Sequence, residues 1–147
     1  MPKPGQARFN HVALSVPADL LAEAGRRQIV DFYSEVFGWT EYPTETIDRK
    51  QLVLGVYALD QFVFLIADDN PMQAPRMDHF GLGVATEEEL DTFYGRCQDY
   101  RTRDSRVDLI DKHTTQYPGV ALTSFYVGYL LPMMMEIQYF GLEKPST

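Results

Sequence analysis

From Phe9 to Val16 bulky and small positions alternate along the chain. In an extended strand this puts Val12, Leu14 and Val16 on one face and His11, Ala13 and Ser15 on the other. The first face is fit for burial; the second is small or polar. After Pro17, Asp19 is placed to cap a helix. Its apolar positions Leu20, Leu21, Ala24, Ile29, Phe32, Tyr33, Val36 and Phe37 recur at helical spacing, Gly25 loosens its first turns and Gly38 stops it. From Trp39 to Asp68 the runs TEYPTETI, QLVLGVYAL and QFVFLIA are rich in β-formers and separated by polar residues, which predicts three strands.

The segment DDNPMQAPR, with two prolines and adjacent acids, reads as a connector, and beyond it the order repeats. DHFGLGVA predicts a strand. Thr86 with Glu89 makes a capping box for a helix carrying Leu90, Phe93, Tyr94 and Cys97, and strand-like runs follow near RVDLIDKHTTQ, ALTSFYVGYLL and MMMEIQYF. FNHVALSV aligns with MDHFGLGV, His11 over His79, and Phe32-Tyr33 falls over Phe93-Tyr94. The expected fold is therefore α+β: two tandem βαβββ modules, about 7–69 and 76–141, joined by a linker at 70–75, with a curled mixed sheet around a cavity and the helices outside.

Composition narrows what such a fold can do. With 45% hydrophobic residues in 147, the chain can build its own core without disulfide or structural metal. A formal charge of -8 repels phosphate backbones and anionic lipid heads, so neither nucleic acid nor a membrane surface is an expected partner. Its one cysteine, Cys97, has no intramolecular partner, and MPKPGQARFN lacks the apolar core of a secretory signal, so a cytoplasmic location is expected. Cys97, on the apolar side of its helix, reads as a buried filler, Glu87–Glu89 as a helix start, and RTRDSR as a solvated loop.

Parity selects the candidate chemistry. His79 shares its face with Gly81 and Gly83, as His11 does with Ala13 and Ser15, so each His-bearing face leaves room for a ligand. Glu136 lies amid Met133, Met134, Met135 and Ile137, where an unpaired carboxylate is costly; of the methionines, alternation puts only Met134 on its face. Two imidazoles and a carboxylate on a cavity wall are a donor set for a divalent metal with open positions, Fe(II) above all and also Mn(II) or Zn(II). Tyr126 shares a face with Ser124 and Gly128 and is expected to point into the same cavity. His113, beside Asp111 and Lys112, reads as a loop or solvated residue, with a catalytic role as the other option.

The repeated βαβββ pattern, FYSEVFGW closing the first helix and SFYVGYLLPMMMEIQYF ending the second module resemble the vicinal oxygen chelate superfamily of glyoxalases, extradiol dioxygenases, fosfomycin-resistance enzymes and bleomycin-binding proteins. The resemblance implies metal binding by His11, His79 and Glu136. The fourth ligand of glyoxalase-type members falls at Phe64, which cannot bind metal, leaving the two-His, one-carboxylate set of the dioxygenases. Tyr126 matches the tyrosine those enzymes place beside their substrate. They also keep an acid–base His shortly before the position of His79; here His113 is the candidate substitute. The implied protein is a metal-dependent, dioxygenase-like oxidoreductase acting on a small aromatic or vicinal-oxygen substrate, with Fe(II) ahead of Mn(II), Zn(II) or Ni(II). A glyoxalase-like lyase or isomerase, or a metal-free protein sequestering an antibiotic or metabolite, is the alternative. Family members often pair, so a homodimer is expected, although the alignment of His11 with His79 lets one chain supply all three ligands.

Overall fold

The computed structural model describes residues 3–142, and the two expected modules are both present. The first contains β1 (His11–Val16), α1 (Glu23–Phe37), β2 (Thr40–Glu41), β3 (Gln51–Gly55) and β4 (Phe62–Ala67), ordered β1-β4-β3-β2 in one sheet. The second contains β5 (His79–Gly83), α2 (Glu87–Arg103), β6 (Asp108–Tyr117), β7 (Val120–Gly128) and β8 (Met134–Leu142), ordered β5-β8-β7-β6. In each the first strand runs parallel to the last, β1 beside β4 and β5 beside β8, and the remaining pairs are antiparallel. The helical connection after the first strand makes that parallel neighbour possible. The two sheets remain separate, so β1 and β5 are both edge strands.

The alternation seen in the sequence holds. Leu14 and Val16 are buried with Leu65 and Val63, whereas His11, Ala13, His79, Gly81 and Gly83 are exposed. Local detail departs from expectation at the first helix. Pro17, not Asp19, precedes a single 3-10 turn at Ala18–Leu21, and α1 starts only at Glu23 without a side-chain cap. Asp19 instead pairs with Arg49. Gly25 serves close approach: a Cβ there would lie 2.6 Å from the Leu20 carbonyl oxygen, which the 3-10 turn presses against the helix. Alanine is ordinarily the better helix former by about 1 kcal/mol, yet Gly25→Ala is expected to destabilise by about 1–3 kcal/mol, measurable as a lower urea midpoint with an unchanged slope. Gly38 ends α1 in the left-handed region at φ 72, as expected. TEYPTETI yields only the two-residue β2 and a 3-10 turn at Pro43–Glu45, because Pro43 cannot donate to a ladder.

One core spans both modules. Phe32 packs against Tyr129 at 4.4 Å and edge-on to Tyr100 at 4.9 Å, and Tyr33 donates its hydroxyl proton to the Tyr129 carbonyl at 2.7 Å. Burial holds the Tyr33 phenol far above its ordinary range, so it stays a neutral donor. Trp39 stacks on Tyr33 as a packing residue. Thr86 caps α2 by accepting from the Glu89 amide at 3.1 Å, while the Glu89 carboxylate reaches back to the Ala85 amide at 2.9 Å. RTRDSR is no free loop. Arg101–Arg103 close α2, and Asp104 accepts from Arg106 and from the Tyr129 hydroxyl, both at 2.7 Å. These bonds, Arg106 first, hold Asp104 well below the usual carboxylate range. The Cys97 thiol is buried and pushed up to about 12, which removes it as a nucleophile.

Candidate metal and ligand site

The second sheet gathers most of the expected site. β5 and β8 run in parallel register, with His79 opposite Met134 and Gly81 opposite Glu136. β7 places Tyr126 opposite Glu136 on the other side. His79, Tyr126 and Glu136 therefore share one face. His79 Nε2 lies 3.1 Å from Glu136 Oε2. The Glu136 side chain is 9% exposed and that of His79 33%, so the pair sits at the rim of a buried carboxylate with one side open to solvent.

The other imidazole nitrogen fixes the orientation of the ring. His79 Nδ1 lies 2.8 Å from the Met77 carbonyl oxygen, an acceptor, so Nδ1 carries a proton and donates. Nε2 then lies 3.1 Å from a carboxylate oxygen, close enough for the two to share a proton or a metal ion. An imidazole whose second nitrogen is fixed by a carbonyl is also the usual support for a metal-binding histidine. The donor set therefore fits a divalent ion. Tyr126 stands edge-on to His79, centroids 5.0 Å apart, and its phenol is raised by burial and then by the charge of Glu136.

His11 is placed elsewhere. It opens β1 in the other sheet, stacks on Phe62 at 4.7 Å, and its Nδ1 is bound to Asn10 Oδ1 at 2.7 Å, while its Nε2 has no hydrogen-bond partner among the described residues. Among the described residues no three His, Cys, Asp or Glu side chains converge to hold a metal. The expectation that one chain supplies all three ligands finds no such set of three among the described residues: parity fixes the face of each strand, not how far His11 on β1 lies from the His79–Glu136 pair on β5 and β8. Phe64 pairs with Ala13 as Glu136 pairs with Gly81, so Phe64 and Glu136 occupy matching places in the two modules.

The small positions divide among different spaces. His11, Gly81 and Gly83 line a cavity of about 680 Å³ at the seam between β1 and β5, walled by Phe9, Phe37, Trp39, Phe62, Phe80 and Phe93. Ser15 lines a recess of about 520 Å³ with Met72, Leu130 and Leu131, and Ala13 lines neither. Ser124 and Met134 are buried in the second sheet, where the Met134 sulfur would lie 2.5 Å from a Cβ at Gly128. His113 is exposed, as a solvated residue would be, but it lies within β6 rather than in a loop, and its ring is parallel to that of Tyr126. Gln138 is the neighbour that the sequence reading missed. It lies two residues beyond Glu136, with its side-chain Oε1 3.5 Å from where a Gly81 Cβ would be; the period of a strand from Glu136 was the available signal.

No protein-family model and no curated protein sequence matches the chain. Solved structures do. A glyoxalase family protein from Bacillus anthracis is 20% identical, with a TM-score of 0.63 over 96% of this chain and 100% of the other. A variant of the fosfomycin resistance protein FosX from Listeria monocytogenes, complexed with Mn(II) and 1S,2S-dihydroxypropylphosphonic acid, is 14% identical, with a TM-score of 0.63 over 90% of this chain and 89% of its own. Lactoylglutathione lyase from Agrobacterium tumefaciens is 21% identical, with a TM-score of 0.57 over 93% and 96%. The paired modules, the parallel first and last strands and these likenesses together give this chain the fold of the vicinal oxygen chelate superfamily.

Proposed function

We propose that the protein is a divalent-metal-dependent enzyme of the vicinal oxygen chelate type, with His79 and Glu136 as two of its ligands. The observation that carries this is His79 Nε2 held 3.1 Å from the buried Glu136 carboxylate while the Met77 carbonyl fixes the other ring nitrogen, a pair of donors that one cation can bridge. A divalent ion there supplies Lewis acidity toward two adjacent oxygens of a small substrate. Tyr126 donates a hydrogen bond to the charge that develops on those oxygens. With Phe64 in the fourth ligand's place, the two-His, one-carboxylate set favours Fe(II) over Mn(II), Zn(II) or Ni(II), and a dioxygenase-like reaction on an aromatic substrate.

The third ligand is His11 of a second copy in a homodimer. His11 is exposed, its Nε2 has no hydrogen-bond partner among the described residues, and it opens β1, an edge strand with an unused row of hydrogen-bonding groups. Phe9 and Met77, each two residues before a candidate ligand, are 78% and 52% exposed, apolar surface suited to such an interface. Protein purified without chelator is expected to carry near-stoichiometric metal, lost in His79→Ala. Mixing His11→Ala with Glu136→Ala chains is expected to restore about a quarter of the wild-type content, since half of randomly paired dimers would hold one intact site. No metal, and no uptake of Fe(II) under anaerobic conditions, would sink the enzyme reading. Oxygen uptake with a panel of catechols then tests the dioxygenase branch.

A second reading is supported by the seam cavity. Its aromatic walls and volume of about 680 Å³ are those of a small-molecule pocket, separate from the His79–Glu136 pair. A metal-free protein sequestering an aromatic compound, preferably cationic given the charge of -8, would use it. Saturable quenching of Trp39, which lines that cavity, in metal-stripped protein identifies this case.

A further inference from the structure

We infer that His113 is a positioning residue of the His79–Glu136 site, holding the Tyr126 ring in place; the inference rests on the metal-site reading above. A β-bulge in β6 sets the position of His113. On β7, Tyr126 and Ser124 are two residues apart, while their partners on β6, Ile110 and His113, are three apart. Without the extra residue, Ser124 would face Lys112, and an ammonium group would sit beside Tyr126 on the face that carries Glu136. The bulge prevents this. Lys112 turns to α2 and pairs with Asp91, and Asp111 accepts from the Tyr94 hydroxyl at 3.1 Å, also on α2. Both residues before His113 are thus anchored to the helix, and the imidazole is delivered to the site face. Bulges often serve to re-aim a side chain in this way.

On that face the rings form a row. The His113 ring lies within 9° of parallel to Tyr126, centroids 6.3 Å apart, and Tyr126 stands at 88° to His79, centroids 5.0 Å apart. Tyr126 is thereby bounded by an imidazole on each side. Its strand position opposite Glu136 fixes the Cα, and the two neighbours fix the ring, so the hydroxyl is presented to the same space as the His79–Glu136 pair. A flat ring at 113 meets this requirement and a cation at 112 is kept away from a site that must itself attract one.

The test compares His113→Ala and His113→Phe with wild type, using two measurements. The first is binding of 4-nitrocatechol to Mn(II)-loaded protein, followed by its visible absorbance. His113→Ala is expected to weaken it about fivefold, the effect of one lost ring–ring contact, with Mn(II) affinity unchanged, and His113→Phe to restore it. The second is the fluorine resonance of 3-fluorotyrosine at position 126, assigned by its loss in Tyr126→Phe. It is expected to shift in His113→Ala and to keep its wild-type position in His113→Phe. A resonance that stays put in His113→Ala overturns the inference, as does a Phe variant behaving like the Ala one. Wild-type protein that takes up no Mn(II) counts against the metal reading alone, because the resonance still decides the role of His113.

Discussion

Glu136→Leu is expected to abolish metal binding and to make the metal-free protein more stable. Removing a residue that merely supports a ligand typically costs about 10–100-fold in metal affinity, and Glu136 is itself a proposed ligand, so the loss should be at least that large. Stability should move the other way. Glu136 is 7% exposed in the row between Met135 and Ile137, and the imidazole beside it, His79, retains access to solvent. Replacing a buried charge by an apolar side chain of similar volume is often stabilising, here by about 1–2 kcal/mol. For a domain of this size that corresponds to a rise of about 3–6 °C in Tm, measured by calorimetry in the presence of chelator. A fall in Tm would mean that the carboxylate is structural and that the pair holds β5 to β8. Gained stability with lost metal is the signature of a residue kept for function.

The second large effect concerns the junction of the modules. Phe32 is fully buried and touches Tyr33, Phe37, Tyr100 and Tyr129, so it belongs to α1 of one module and to the core of the other. Phe32→Ala is expected to destabilise by about 3–5 kcal/mol through lost burial and the cavity left behind. That is a large part of the about 5–15 kcal/mol available to a domain, and urea unfolding of the variant should show one transition at a much lower midpoint. Two separate transitions, or a loss below about 1.5 kcal/mol, would show that the modules are stabilised independently. The same substitution should loosen the seam cavity, since Phe37 and Trp39 line it and pack on the neighbouring Tyr33.

Much of the site could be read from neighbours along the chain. The period of two placed His79, Gly81 and Gly83 on one face, and the observed exposure follows it. The same rule put Tyr126 on one face with Ser124 and Gly128, and the β7–β8 ladder sets it opposite Glu136. Where the backbone inserts a residue the rule fails. Counting by two from Ile110 selects Lys112, and nothing in DLIDKHTTQ marks the bulge that selects His113 instead. The start of α1 was misplaced for a related reason: Asp19 is a good cap by composition, but the 3-10 turn and the contact with Arg49 take that residue elsewhere. Asp104 and Arg106 looked like solvated charges because their partner, Tyr129, is distant in sequence.

What the sequence determined by itself is the repeat, the buried and open faces of each strand, and which residue types stand at matching places: His11 over His79, and Phe64 over Glu136. These are local properties, set by side-chain period and by the chemistry of single residues. The tertiary structure alone decided which of those residues meet. It joined His79 to Glu136 through a parallel strand pair, set Tyr126 and His113 beside them by an antiparallel register with one extra residue, and left His11 on a separate sheet. Pairing between distant strands depends on how whole faces pack, and a shift of one residue reverses which side chains share a face; that information lies in the packed core rather than in any stretch of the chain.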